Sequence, residues 1–281
     1  MLLRSFRRIP PSLLLVVLFL AFFGWQLSQG TKHEEGPVGH EVVPQEEKTG
    51  PRIAIMTFVT EQRSYLHIVL KNKDHYARRH NYDLILDYEH HSERGVMFWK
   101  FEMAERLIKT GKYDWIWWMD FDTLITNTDI KVTDVIHDAL ESVPNPEDID
   151  YIITHDCNGF NGGSFLIRGH ERSLKFMHDS TKIHDDAKAA DINMSEQDSI
   201  VKLMRDDPTS MDGVLVIPQT KLNAFPTEIS CYDEEKKAWE HGTFVLHFAG
   251  AWAYVKGEDP TGYLMKKYDS EIMWGDWKQF Y

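Results

Sequence analysis

The stretch Trp115-Ile116-Trp117-Trp118-Met119-Asp120-Phe121-Asp122 decides the fold. Bulky apolar residues in unbroken succession, nearly all aromatic or β-branched, describe a strand buried on both faces. Two carboxylates separated by one residue follow directly. Ligands of open α/β sheets bind beyond the carboxyl ends of strands, which puts Asp120 and Asp122 where a ligand belongs. An Asp-x-Asp pair offers oxygen donors to a hard divalent cation. With a nucleotide diphosphate as partner, such a cation neutralises the phosphates and improves the leaving group.

Upstream of this strand the pattern alternates. Residues 52–59 read as a first buried strand, and Thr57 lies within it. Tyr65, Ile68, Val69, Asn72 and Tyr76 recur at helical spacing, and residues 83–88 read as a second strand. A second helix runs over 99–109 with Phe101, Ala104, Leu107 and Ile108 on one face, and Gly111 stops it. Strand, helix, strand, helix, strand predicts a parallel sheet in a nucleotide-binding style of fold.

Downstream the pattern loosens. Residues 133–140 read as a short helix and 143–146 as a loop. Strands are expected at 151–154 and 163–167 around a Gly-rich turn, Asn158-Gly159-Phe160-Asn161-Gly162-Gly163. Helices near 171–180 and 197–204, and strands at 214–217 and 244–248, complete the expected core. The tail, 252–281, is aromatic and polar without a clear period and is expected to wrap the domain.

The other end of the chain has a different character. Arg4, Arg7 and Arg8 precede an uncharged stretch, 9–31, about as long as a bilayer-spanning helix requires. Phe22, Phe23 and Trp25 stand where a cleavable leader wants small residues. The arginines place a cytosolic tail at 1–8, a type II anchor at 9–31 and the remainder in the lumen. Residues 32–51, with Gly and Pro scattered among Glu, read as a stem, leaving 52–281 as the lumenal catalytic domain.

The chain has 281 residues, enough for one large α/β domain, and its net charge of -13 comes without a basic patch, which argues against nucleic acid. Its two cysteines, Cys157 and Cys231, are neither a disulfide framework nor a zinc set. A disulfide and two buried thiols are equally compatible with the sequence.

Further residues have a chemical reading. His247 closes an apolar run and offers a nitrogen donor suited to manganese beside two carboxylates, or is a half-buried histidine bonded to a carbonyl. Lys100 opens the helix leading to the Asp-x-Asp strand and is placed to reach a phosphate, or is a surface lysine. Asn161 with Gly162 and Gly163 offers an amide and close backbone approach to a sugar, or is a plain turn. Glu196-Gln197-Asp198 opens a helix, where carboxylates are favourable in any case. Asn193-Met194-Ser195 matches a glycosylation acceptor pattern. A second Asp-x-Asp, Asp148-Ile149-Asp150, precedes its strand and is expected to be a solvated turn at the opposite end of the sheet.

In this order, these residues resemble glycosyltransferase family 34, which includes fungal α-galactosyl- and α-mannosyltransferases and plant xyloglucan xylosyltransferases. Four blocks carry the resemblance: residues 72–84, 99–127, 161–168 with Glu196-Gln197-Asp198, and His247-Phe248-Ala249-Gly250. It implies a GT-A glycosyltransferase fold, an α/β fold with a Rossmann-like mixed sheet flanked by helices. It also implies Mn2+ or another divalent cation held by Asp120, Asp122 and His247. Lys100, Thr57, Asn161, Gly163 and Gly250 would bind the donor, a nucleotide sugar such as UDP-galactose or GDP-mannose. Gln197 would stand beside the anomeric carbon in a retaining transfer to a mannose-containing glycan, with Glu196 as the nearby carboxylate. The family and the anchor together imply the Golgi membrane. The match has departures: Ala251 and Trp252 stand where a Cys and a basic residue often follow the last block, and Ser195 stands where some relatives carry an acid.

Two other functions fit parts of the sequence. Asp120-Phe121-Asp122-Thr123-Leu124 also resembles the Asp-x-Asp-x-Thr signature of haloacid-dehalogenase-type phosphatases, in which the first Asp, here Asp120, is the nucleophile, but that motif ends the first strand of its domain and here it ends the third. A non-catalytic lumenal glycan-binding protein would be expected to lose a metal ligand or Gln197, and all are present. The sequence leaves open the donor, the acceptor and linkage, and whether the protein works alone or in an oligomer with itself or related transferases.

Overall fold

The computed structural model describes residues 50–279 together with Ala21 and Phe22, which are helical. The expected cytosolic tail, the anchor apart from those two residues, and nearly all of the stem lie outside the described residues. Among the described residues, no helix is long and apolar enough to cross a membrane.

Strand β1 (Ile53–Phe58) leads through helix α1 (Leu66–Arg79) to β2 (Asp83–Asp87), then through α2 (Trp99–Lys109) to β3 (Trp115–Met119). A short β4 (Thr123–Ile125) and helix α3 (Val132–Glu141) follow, then β5 (Tyr151–Asp156), β6 (Gly159–Phe160) and β7 (Ser164–Arg168). Helices α4 (Leu174–Ala189) and α5 (Glu196–Asp206) precede β8 (Val214–Ile217), and a one-turn α6 (Gln219–Leu222) precedes β9 (Val245–His247). The chain closes with α7 (Ala251–Tyr254) and α8 (Pro260–Asp269).

The main sheet is mixed, with the order β2-β1-β3-β7-β5-β6 and β8 paired to β5. Its first three strands are parallel, as the strand–helix alternation predicts, whereas β7 runs antiparallel to both β3 and β5. This reversal starts β7 at the same end of the sheet where β3 finishes, so Met119 lies opposite Ser164. The Gly162-Gly163 turn is thereby placed next to Asp120, whose N–H donates to the Gly163 carbonyl at 2.7 Å.

β3 is buried on both faces. Trp115, Trp117 and Met119 face Ile53, Ile55 and Leu166, while Ile116 and Trp118 face Met56 and the apolar side of α2. Full burial of a side chain such as Ile116 or Met119 contributes about 1.5–3 kcal/mol. The Trp117 indole N–H donates to Ser164 Oγ at 3.0 Å, so the buried ring leaves no polar atom unmet.

Two expectations are corrected. The tail is not without regular structure: it contains α8, opened by an Asp259 cap and Pro260, with Leu264, Met265 and Tyr268 buried on one face. Asp150 is not solvated either. It lies at the end of the sheet opposite Asp120, but it is buried and receives Arg172 Nε at 2.7 Å and Arg172 Nη2 at 2.8 Å. A bidentate guanidinium is a sufficient structural reason for that carboxylate.

Cys157 and Cys231 form a disulfide across 74 residues of sequence. Closing so long a loop restrains the unfolded chain, so replacing both cysteines with serine is expected to cost about 2–4 kcal/mol. The check is urea unfolding followed by tryptophan fluorescence.

Candidate active site

The small second sheet assembles the site. β4 pairs antiparallel with β9 in the register Thr123 to His247, Leu124 to Leu246 and Ile125 to Val245. The Phe248 N–H then donates to the Asp122 carbonyl at 3.1 Å. A histidine from late in the chain is thereby set beside the carboxylates that end β3. Donor atoms of Asp120, Asp122 and His247 all lie within 4.8 Å of one another. Two carboxylate oxygens and one imidazole nitrogen form a donor set suited to Mn2+, and the two Asp side chains, 23% and 28% exposed, remain open to the cleft.

Helix α1 holds this ladder from behind. The Asn72 side chain donates to the Ile125 carbonyl at 2.9 Å and accepts from the Ile125 N–H at 2.8 Å, acting as an extra peptide edge on β4. Lys73 Nζ donates to the Thr123 carbonyl at 2.9 Å and to Thr123 Oγ1 at 3.0 Å. Thr123 Oγ1 in turn donates to the Asp120 carbonyl at 2.7 Å. The turn between the two aspartates is thus fixed by a fully buried lysine.

The cleft in front of these residues has a volume of about 320 Å³. Asn161, Gly162, Gly163, Glu196, Gln197, Gly250 and Tyr254 line it together with Asp120, Asp122, Asp156 and His247. Among the described residues, its lining contains four carboxylates and no Lys or Arg. Gly163 is dictated by space: a Cβ there would sit 2.0 Å from His247 Cε1. Gly250, with φ of +62°, takes the left-handed conformation at the turn after β9.

At the start of α5, Ser195 and Asp198 form a reciprocal capping box, so the capping duty falls on them. Glu196 and Gln197 are left to the cleft. The Gln197 carbonyl oxygen accepts from the Gly162 N–H at 2.9 Å, and Glu196 Oε1 accepts from Lys100 Nζ at 3.0 Å. Asn193 of the glycosylation pattern is exposed in the loop before this helix.

Lys100 is not at the surface. It is 2% exposed, donates also to the Gly162 carbonyl at 3.3 Å, and lies 3.7 Å from Asp120 Oδ1. Burial works against its charge, but Asp120 and Glu196 outweigh this and raise its pKa. Burial pushes the Asp120 carboxyl up, with Lys100 opposing and Asp122 reinforcing. For Asp122, burial is outweighed by His247, which holds the carboxyl below its ordinary value. Thr57 is fully buried in β1, does not line the cleft, and has a hydroxyl without a hydrogen-bond partner among the described residues.

The sequence reading did not single out Asn223, Asp156, Phe225 or Lys73. Asn223 Oδ1 lies 2.7 Å from His247 Nδ1, and Asp156 accepts from Asn161 Nδ2 at 2.8 Å. Phe225 packs edge-on against the His247 ring. Of these four, only Lys73 sits in a recognisable pattern, next to the buried helix positions Val69 and Tyr76.

A mixed sheet with an acidic, metal-competent cleft at the carboxyl end of its third strand defines an α/β fold of the glycosyltransferase kind. A solved glycosyltransferase involved in glycosylation of the major capsid of PBCV-1 superposes with a TM-score of 0.58 at 17% identity, covering 77% of this chain and 100% of that one. The sequence goes further. Residues 50–257 match the model of the galactosyl transferase GMA12/MNN10 family, and the chain belongs to that family, glycosyltransferase family 34. An uncharacterized alpha-1,2-galactosyltransferase of Schizosaccharomyces pombe is 28% identical over 229 residues, 68% of this chain and 57% of that protein. The probable alpha-1,6-mannosyltransferase MNN10 of Saccharomyces cerevisiae is 29% identical over 189 residues, 57% of this chain and 47% of that one. The chain spans about half the length of these relatives.

Lys73 gives the site a pH signature. Burial pushes its ammonium down to about 7, with Asp122 and Asp120 opposing. An unfolded chain keeps that proton to higher pH, so it binds more protons than the folded one above pH 7. Stability contributed here therefore grows as pH rises from about 7 toward the ordinary lysine range, and is lost as pH falls through about 7. In EDTA, the melting temperature of wild type relative to Lys73→Met is expected to increase between pH 7 and 9, as scanning calorimetry would record. A pH-independent difference would contradict this.

Proposed function

We propose that this protein is a Golgi type II glycosyltransferase with a GT-A catalytic domain. It moves galactose or mannose from a nucleotide sugar to a mannose-containing glycan with retention of configuration. The observation that carries the reading is the convergence of Asp120, Asp122 and His247 in one cleft of a chain from this family. These three residues would hold Mn2+ or another divalent cation, which when bound neutralises the diphosphate of UDP-galactose or GDP-mannose. The lining supports that role, because among the described residues it carries carboxylates and no Lys or Arg to meet an anionic donor. The uncharged stretch 9–31 supports the anchor, and the disulfide suits an oxidising lumen.

Within the cleft, Asn161 and the Gly162-Gly163 turn receive the transferred sugar. The acceptor hydroxyl attacks the anomeric carbon from the face the phosphate leaves. The new C–O bond forms as the bond to phosphate breaks with its electron pair, and the hydroxyl proton passes to a phosphate oxygen. Gln197, pinned by the Gly162 N–H, directs its carbonyl dipole at the positive charge developing on the sugar. Glu196, 5% exposed and paired with Lys100, serves as a buried counter-charge, which disfavours a route through a covalent Glu196 adduct. The phosphatase reading is disfavoured in the same way, since Asp120 Oδ1 already accepts from the Trp118 indole N–H at 2.8 Å.

A soluble protein beginning near Gly50 tests this. UDP-galactose, GDP-mannose and UDP-xylose are each offered with mannose or mannobiose, in Mn2+ and in EDTA. Turnover of one donor in Mn2+ alone is expected. Asp122→Asn is expected to lose essentially all metal-dependent transfer with an unchanged circular dichroism spectrum, and Gln197→Ala to lose about 10²–10³-fold in kcat. Full activity of Asp122→Asn would remove the metal assignment. Hydrolysis of a simple phosphate ester with no sugar transfer would favour the phosphatase.

A further inference from the structure

Hydrogen-bond polarity can be followed along a chain of buried amides when one end can only accept. Such a chain begins at Asp156 and ends at His247. A carboxylate facing an amide at 2.8 Å requires that amide to present its nitrogen, which assigns Asn161 Nδ2 to Asp156. Asn161 Oδ1 accordingly points the other way and accepts from the Gly163 N–H at 3.0 Å. Asn223 Nδ2 donates to that same oxygen at 2.8 Å and to Thr154 Oγ1 at 3.1 Å. This turns Asn223 Oδ1 toward His247 Nδ1, 2.7 Å away. An amide oxygen only accepts, so Nδ1 must carry hydrogen. The other ring nitrogen, Nε2, faces Asp122 Oδ1 at 3.3 Å. Asn223 is fully buried and His247 and Asn161 nearly so, which leaves these groups no easy exchange with water.

We infer that Asn223 is the positioning residue that fixes the imidazole of His247 with hydrogen on Nδ1, so that Nε2 offers its lone pair to a divalent cation shared with Asp120 and Asp122. The inference rests on the metal reading proposed above. Its physical content is that metal affinity depends on an amide that touches no metal. A ligand histidine needs its second nitrogen held by an acceptor, which fixes both tautomer and ring orientation. The amide that does this also bonds Asn161, so the sugar-facing turn and the histidine ligand belong to one rigid network. His247 cannot swing away without losing its bond to Asn223, and Gly163 leaves it just enough room to stay.

Two variants of the full chain separate the roles. Asn223→Leu removes the acceptor for Nδ1–H, and Asn223→Asp restores one. Mn2+ binding without nucleotide is read from the loss of the free-ion electron paramagnetic resonance signal. Asn223→Leu is expected to bind Mn2+ about 10–100-fold more weakly than wild type, and Asn223→Asp, which restores the acceptor for Nδ1–H but cannot donate to Asn161 Oδ1, to fall between the two. A folded Asn223→Leu protein with wild-type affinity overturns the inference and leaves the metal site standing. Wild-type protein that does not bind Mn2+ overturns the metal reading, and this inference with it. Should Asn223→Leu fail to fold, 15N NMR of the wild-type imidazoles gives a direct reading in excess Mg2+, with His247 assigned by comparison with His247→Gln. Hydrogen on Nδ1 supports the assignment, and a bare Nδ1 overturns it.

Discussion

The short ladder between β4 and β9 carries His247 to the end of β3, and the candidate site depends on it. A strand pairing shifted by one residue turns every side chain to the opposite face, so this register decides whether the imidazole meets the carboxylates or the core. The register is defended on both sides. Leu124 and Leu246 are fully buried among Val69, Phe225 and Phe248, and Asn72 occupies both polar groups of Ile125. A ladder this short would not persist alone in water. It persists here because α1 and the aromatic cluster hold it in place.

Charge is arranged around that geometry in two shells. The cleft surface is acidic, and two buried lysines lie beneath it. Lys100 bridges Glu196 and the Gly162 carbonyl and lies close to Asp120, while Lys73 holds the Asp120–Thr123 turn through Thr123. Buried polar groups are costly unless hydrogen-bonded, and each of these lysines donates to fixed partners. The result is a pocket whose walls are set before ligand arrives and whose exposed atoms favour a small cation over an anion.

Much of this was legible in the sequence. Helix α2 has the expected bounds because its apolar face is regular and Gly111 follows, and β3 could be read because both its faces are apolar. Asp120, Asp122, Asn161, Gln197 and His247 each close or open an element, so their positions followed from the element pattern, and they meet in one cleft. The segment between β8 and β9 was not legible, since it has no period and its contacts are distant in sequence. Asn223 and Phe225 sit there, placed by backbone bonds such as His247 N–H to the Ala224 carbonyl at 2.8 Å. Cys231 lies in the same segment, which is why its pairing with Cys157 stayed open. Lys100 and Lys73 could not be placed from the sequence because a lysine on a helix is ordinarily solvated. Here an aspartate or a turn on a neighbouring strand draws each one inward. For α8 the signal was present, in Asp259-Pro260 and the spacing of Leu264 and Tyr268, but the surrounding aromatic and polar residues obscured it.

Asp120, Asp122 and His247 are proposed to form a single cation site from two carboxylates and one imidazole. Electron spin-echo spectroscopy of Mn2+ bound to the full chain detects nitrogen nuclei coordinated to the ion and so reads this donor set without an activity assay. Modulation from one imidazole nitrogen is expected, and it disappears in His247→Gln. Bound Mn2+ with no nitrogen coupling, or coupling that survives in His247→Gln, would contradict it.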